Sequence, residues 1–327
     1  MLDQTEHFCA IDWRPSASRQ ILLQRAELLK TTRNFFTARA VLEVETPFLV
    51  NSAVTDVNLN SASVILGAKK LFLHTSPEYA MKRLLAAGSG DIYQLCHVVR
   101  ADEKSALHND EFMLLEWYRC DFKISQLIDE VAELLNELML SAGSAPRSVV
   151  KQTYSEAFQK YLSIDPLNST DHDLLQLARA RGLAGKSHNR DELLDFLIST
   201  QIGPKLGQGH WLALTHYPAS QAALAQLDPN NPAVGLRFEF YGDGIELANG
   251  FEELASASEQ MARFNTDNAF RATQGQSTYA LDTRFLGALK SGLPPCAGVA
   301  LGFDRTVMLA CGATSIAEVM AFTTDQA

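Results

Sequence analysis

From about Ser18 to Ala38 the chain sets Ile21, Leu22, Leu28, Leu29, Phe35 and Phe36 largely on one stripe of a 3.6-residue period with charged residues between them, which predicts an amphipathic helix. VLEVETPFL, Val41 to Leu49, then alternates and ends near Pro47, a residue that cannot donate to a ladder and belongs at a strand end or edge. Leu71 to Ala87 opens as a short strand, and Ser76-Pro77-Glu78 supplies a capping hydroxyl, a first-turn proline and an early acid for a helix. Glu78 at that junction is also placed to hold an amine. IYQLCHVVR (Ile92 to Arg100) and EFMLLEWYRCDF read as strands joined by the charged loop ADEKSALHND, a long hairpin with Glu116 and Tyr118 on one face. Arg100 at its mouth fits either a surface ion pair or a phosphate ligand.

A helical pattern from Ser125 to Leu140 is followed by a Ser-, Ala-, Gly- and Pro-rich connector and three short helical patterns at 153–163, 171–182 and 189–201. They read as a helical insertion at about 144–207 within a single domain spanning 1–327. Trp211 to Thr215 resumes a strand, closed by His216-Tyr217-Pro218. Strand pairs flanking helices without βαβ alternation predict an α+β fold built on an antiparallel sheet.

RFEFYGDGIELANGFEEL, Arg237 to Leu254, reads as a hairpin. A two-residue loop at Gly242-Asp243 pairs Phe240 with Ile245 and Glu239 with Glu246. Like charges with Cβ atoms roughly 5 Å apart repel by about 3 kcal/mol at an effective dielectric near 20. A hard divalent cation offsets that, since Mg²⁺ takes carboxylate oxygens together with substrate phosphates. The pattern fits equally a pair turned to solvent, with Phe238, Phe240, Ile245 and Leu247 in the core. A polar turn at Asn249-Gly250 is expected to bring Glu253 back toward the same pocket. In GVALGFDRTVMLACG, small and apolar residues alternate to Gly302, Asp304 is the expected helix cap, and Arg305 aims a cationic fork at the strand end. Arg100, Arg305 and the two acids together describe a triphosphate site without a GxxxxGK[ST] loop.

The chain has 327 residues, is 46% apolar and carries a formal charge of −10, which fits a globular protein and lacks the basic footprint of a nucleic-acid binder. Five scattered cysteines with no CxxC pair indicate neither a zinc site nor a disulfide framework and fit a reducing cytoplasm. No signal-peptide core or membrane span is evident. Cys96 lacks a paired base and reads as core, and His172 and His188 as solvated surface.

Four blocks in order, VLEVETPFL, HTSPEYAMKRLL, VVRADEKSALHNDEFMLLEWYR, and GIELANGFEEL with GVALGFDR, resemble the catalytic core of the lysyl-type class II aminoacyl-tRNA synthetases. The resemblance is strongest to their free-standing branch that attaches (R)-β-lysine to a lysine of elongation factor P. It covers nearly the whole chain. It implies a six- or seven-stranded antiparallel sheet and a homodimer formed partly through the first block. It further implies that Arg100 and Arg305 neutralise ATP phosphates, that Asp102, Asn109, Glu246, Leu247 and Gly302 help seat the nucleotide, and that Glu239 and Glu246 hold Mg²⁺. Ser76, Pro77, Glu78, Glu116, Tyr118, Glu253 and Ala300 would line the amino-acid pocket.

Three departures shape the expectation. Only some twenty residues precede the first helix where tRNA-charging relatives carry an anticodon-binding barrel, which with the acidic charge argues against stable tRNA or DNA binding. Ala300 replaces a glycine of the tRNA-charging enzymes, pointing from α-lysine toward a shifted amine. Arg100-Ala101-Asp102 shortens the usual motif acid. The expected chemistry is β-lysyl-adenylate formation followed by transfer to a lysine ε-amine of elongation factor P. A truncated tRNA-charging paralogue and a non-catalytic ATP- or lysine-binding regulator are the rivals.

Overall fold

The computed structural model describes residues 13–101, 103–185 and 189–327. The first helix, α1 (Arg19–Ala38), starts where the pattern placed it, with the Ser18 hydroxyl accepting from the Ile21 amide at 3.3 Å. VLEVETPFL is not one strand. It divides into β1 (Leu42–Glu43), which joins the main sheet, and β2 (Leu49–Val50), which pairs with β4 (Lys69–Leu73) in a small sheet completed by β3 (Ser63–Leu66). Pro47 lies between the two pieces, where no ladder amide is needed.

The main sheet runs β1, β5 (Ile92–Val99), β6 (Glu111–Cys120), β12 (Cys296–Gly302), β11 (Ile245–Glu252), β10 (Asn231–Gly242), β8 (Trp211–Pro218), β7 (Val149–Thr153), with β9 (Leu227–Asp228) paired to β10. Its interior is antiparallel as expected, but it is wider, and both outer pairs, β1 with β5 and β7 with β8, are parallel. The fold is α+β.

Alternation along the central strands gives each face a different character. Leu115 and Trp117 of β6, Ala297, Val299 and Leu301 of β12, and Phe238 and Phe240 of β10 turn to one side and are buried under α1, α3 (Ile124–Ser141) and α9 (Phe303–Cys311). There Phe36 stacks on Tyr93 with ring centroids 4.3 Å apart and meets Trp117 edge-on at 5.4 Å. Glu116, Tyr118, Gly298, Ala300, Glu239 and Tyr241, the intervening residues, take the other side.

That second face is walled by two apolar clusters. At one end α2 (Glu78–Ala86), α7 (Ala257–Thr273) and α8 (Thr283–Gly292) bring Met81, Leu85, Phe264 and Phe285 against Ile92 and Tyr118. At the other, α4 (Tyr154–Leu162), α5 (Asp171–Ala180) and α6 (Arg190–Leu197) pack on Leu212, Leu214 and Tyr217 of β8 and on Tyr241. The segment that follows α6 is hydrogen-bonded to the β10–β11 turn: the Asp243 and Gly244 amides donate to the Gly207 and Leu206 carbonyls, both at 2.8 Å.

Phe36 is fully buried against two aromatic rings, so Phe36→Ala should cost about 3–5 kcal/mol, mostly cavity and lost transfer energy. Urea denaturation of the two proteins measures it.

Candidate active site

Three carboxylates, two hydroxyls and one ammonium meet on the polar face beside α2. Glu116 is buried, and its two oxygens accept from the Ser76 hydroxyl and the Tyr118 hydroxyl, each at 2.7 Å. Ser76 therefore does more than start the helix. Its oxygen also accepts from the Glu78 amide at 3.0 Å, while the position before the first helical residue is taken by buried Pro77. Glu78 reaches the ammonium of Lys82 at 2.6 Å, one helical turn on, and the same Nζ lies 2.5 Å from Glu253. Burial and then Glu78 push the Glu116 carboxyl up to about 7. Glu253, shifted upward most by burial and partly restrained by Lys82, rises to about 8. Burial alone would depress the lysine, but Glu253 and Glu78 outweigh it and hold Lys82 well above its ordinary range.

β12 forms the floor of this pocket. Gly298 pairs with Tyr118 and Ala300 with Glu116, so both project to the polar side. A β-carbon at Gly298 would run into the Tyr118 ring and Glu253, whereas half-buried Ala300 carries its methyl as the cross-strand partner of Glu116.

The second half of the face is cationic. The Arg305 guanidinium is fixed by the Glu246 carbonyl at 2.9 Å, the Leu107 carbonyl at 3.2 Å and the His108 Nε2 at 2.5 Å. Burial, then Arg305 and Arg100, lower the His108 pKa to about 4, so its imidazole is neutral, with Nδ1 facing the Ser105 hydroxyl at 2.7 Å. Arg100 lies over the Phe112 ring and toward the Thr75 carbonyl. Gly302 stands immediately before α9, close to the Arg305 stem and the Leu247 carbonyl, so the cap is not Asp304. Asp304 is buried instead, paired with Arg25 of α1 and accepting from the Met113 amide at 2.7 Å. Asn109 is buried with its amide committed to the Glu111 carbonyl and to Thr324. Asp102 lies outside the described residues.

The carboxylate hairpin differs from its expected register. Its turn is Asp243-Gly244, both residues at positive φ, and Gly242 pairs with Ile245. Tyr241 then faces Glu246, while Phe240 faces Ala248, so Leu247 is an extra residue, a bulge. Glu239 opposes Asn249, not Glu246; the two acids share a face diagonally. Asn249-Gly250 is not a turn either. β11 runs through it, and continued alternation delivers Glu253 to the lysine-containing end.

The charge on Glu239 is compensated from within. One oxygen accepts from Arg237 at 2.7 Å and the other from the Tyr241 hydroxyl at 2.6 Å. Glu246 is freer: Arg305 stands 4.0 Å away, and 43% of its side-chain surface is accessible. Crowding by the surrounding protein and the charge of Glu239 nevertheless push its carboxyl up to about 7. Lys82, His108 and Arg237 escaped the reading of the sequence. The available signal was weak, a lysine four residues after Glu78 on the same stripe as Met81 and Leu85.

The sequence model of the tRNA synthetases class II (D, K and N) matches residues 4–326. The chain belongs to this class II synthetase family. Among its relatives, a protein of Histophilus somni named elongation factor P--(R)-beta-lysine ligase is 49% identical over 320 residues, 96% of this chain and 98% of that protein. Identically named proteins of Pasteurella multocida and Hamiltonella defensa are 46% identical over 323 residues and 44% identical over 327 residues. Both alignments cover 97% of this chain, with 98% and 99% of the respective relative. The class II membership accounts for a pocket assembled on an antiparallel sheet, with no phosphate-binding glycine loop of the P-loop kind.

Two outcomes follow for this synthetase-family site. Glu116 and Glu253 hold protons more tightly folded than unfolded, so each contributes stability that is complete below its ordinary 4.5 and is lost as pH rises through about 7 and about 8 respectively. Denaturation of the free protein should therefore show declining stability between those limits. Gly298→Ala should destabilise the fold by about 1–3 kcal/mol, because the added methyl runs into the buried Tyr118 ring and Glu253. Urea denaturation of the two proteins measures it.

Proposed function

We propose that this chain joins (R)-β-lysine to ATP as an adenylate and transfers the β-lysyl group to a lysine ε-amine of elongation factor P. The observation that carries the reading is the division of one sheet face into an acidic pocket at Glu116 and Glu253 and a cationic half at Arg305 and Arg100. The names and near-complete coverage of the relatives support the choice of substrates.

The acids suit a substrate carrying two amines. Glu78, Glu116, Glu253 and the Ser76 and Tyr118 hydroxyls orient it, with Pro77 shaping the wall, and the Ala300 methyl favours the shifted amine over that of α-lysine. The substrate carboxylate attacks the α-phosphorus in line, pyrophosphate leaves, and Arg100 and Arg305 spread the developing charge. The acceptor ε-amine then attacks the carbonyl carbon of the mixed anhydride; the C–O bond to AMP breaks as the amide forms, and the amine loses a proton. No protein nucleophile is required. Backbone groups at Leu247 and Gly302 would flank the nucleotide; Asn109 would act by fixing the hairpin mouth, and Asp102 would meet the base end.

The donor set fits Mg²⁺ in kind. Glu246 offers hard oxygens, and Glu239, whose oxygens already accept from Arg237 and Tyr241, offers its remaining lone pairs, with substrate phosphates to complete the shell. The ion, when bound, supplies neutralisation of phosphate charge. Exposed Leu23 on α1 and Leu42 on β1 support a homodimer through this side. The net charge of −10 supports a protein acceptor over tRNA or DNA. The four described cysteines are free, which supports a cytoplasmic setting. No described helix is long and apolar enough to cross a membrane. We regard the chain as one domain, with the helices at about 144–207 as an insertion.

Pyrophosphate exchange should be faster with β-lysine than with α-lysine. Mass measurement of elongation factor P and bulk tRNA after incubation with ATP and β-lysine should show the added amide on the protein alone. Exchange with neither amino acid would mark a regulator, and modified tRNA beside unmodified protein would reverse the acceptor.

A further inference from the structure

We propose that Lys82 is a positioning and specificity residue, whose buried ammonium ties Glu78 to Glu253 and sets the pocket's charge to match an amino acid with two ammonium groups. This rests on the reading of the acidic pocket as the amino-acid site. Lys82 has 0% exposure, and its Nζ bridges carboxylates from two separate elements, the first turn of α2 and the end of β11, at 2.6 and 2.5 Å. A lysine so enclosed is neither a solvent-facing charge nor, with its ammonium held by two acids, a nucleophile.

The charge balance gives it a purpose. Glu78, Glu116 and Glu253 against one Lys82 leave two negative charges when all are ionised. A diamino acid whose carboxyl is engaged at the nucleotide brings two positive charges and neutralises the pocket. An amino acid of the same length with one amine leaves a buried carboxylate uncompensated, which is strongly unfavourable in a desolvated site. Without Lys82 the pocket would hold a third negative charge and take up a proton instead. Glu78 and Glu253 would then share that proton and lose their fixed orientation.

The titratable neighbours are Glu78 on the same helix, Glu253 at the end of β11, Glu116 and Tyr118 on β6, and Cys296 on β12. From α8 the Phe285 ring lies 5.9 Å from Nζ, while Asp282 at the head of α8 and Asp267 on α7 act on adjacent Tyr79. Among the described residues Lys82 is the cation that acts directly on Glu116 and Glu253, while Arg83 of α2 and Arg284 of α8 line the cavity beside Glu78.

Lys82→Met, Glu253→Gln and the double variant test the role in pyrophosphate exchange across pH 6 to 9. Lys82→Met should raise the KM for β-lysine by about tenfold with little change in the KM for ATP, and should move the pH at which that KM levels off upward by about one unit. The double variant restores two net negative charges, so its KM should lie well below the product of the two single effects. If Lys82→Met does not fold, the double variant against Glu253→Gln decides: a change of less than about threefold supports charge balance, and a full tenfold loss refutes it. An unchanged KM and pH profile in Lys82→Met overturns the role while leaving the site intact. A wild-type protein that exchanges with neither α- nor β-lysine refutes the site itself.

Discussion

A pleated strand hands alternate side chains to opposite faces, and this chain depends on breaking that rule in β11. In β11, Glu246 has even parity while Asn249 and Glu253 have odd parity, so a regular strand would put them on opposite sides. The extra residue at Leu247 shifts the phase between them. Glu246 and Glu253 thereby share a surface, while Leu247 and Ala248 both remain with the core.

Gathering acids on one surface creates an electrostatic cost that the protein meets locally. Arg237 answers Glu239, Lys82 answers Glu78 and Glu253, and two hydroxyls donate to Glu116. Burial first, and the neighbouring acids after it, push the Glu116, Glu246 and Glu253 carboxyls above their ordinary values.

Where one residue type dominated a local choice, the sequence was readable. The apolar stripe from about Ser18 predicted α1, and two-residue spacing placed Glu116 beside Tyr118. The like-charge argument took Glu239 to face Glu246 directly; Glu239 faces Asn249 instead, and Arg237, two residues earlier on the same strand, supplies its counter-charge. Counting alternation could not detect the Leu247 bulge, since nothing in the apolar pattern marks an extra residue. Nor could it see that Asp304 bonds across space to Arg25 and Met113 instead of capping its own helix, because such contacts are fixed only by tertiary packing. Asp102 lies outside the described residues, and the assignment of ligands to the remaining site residues rests on chemistry and family likeness.

The stitching of Gly207 and Leu206 to the β10–β11 turn bears on any attempt to build a smaller catalyst. Excising the helical segment would strip two amides of their acceptors at the tip of the hairpin that carries both glutamates. A protein engineer would have to redesign that tip before shortening the chain, because what looks in outline like a removable appendage serves as a brace.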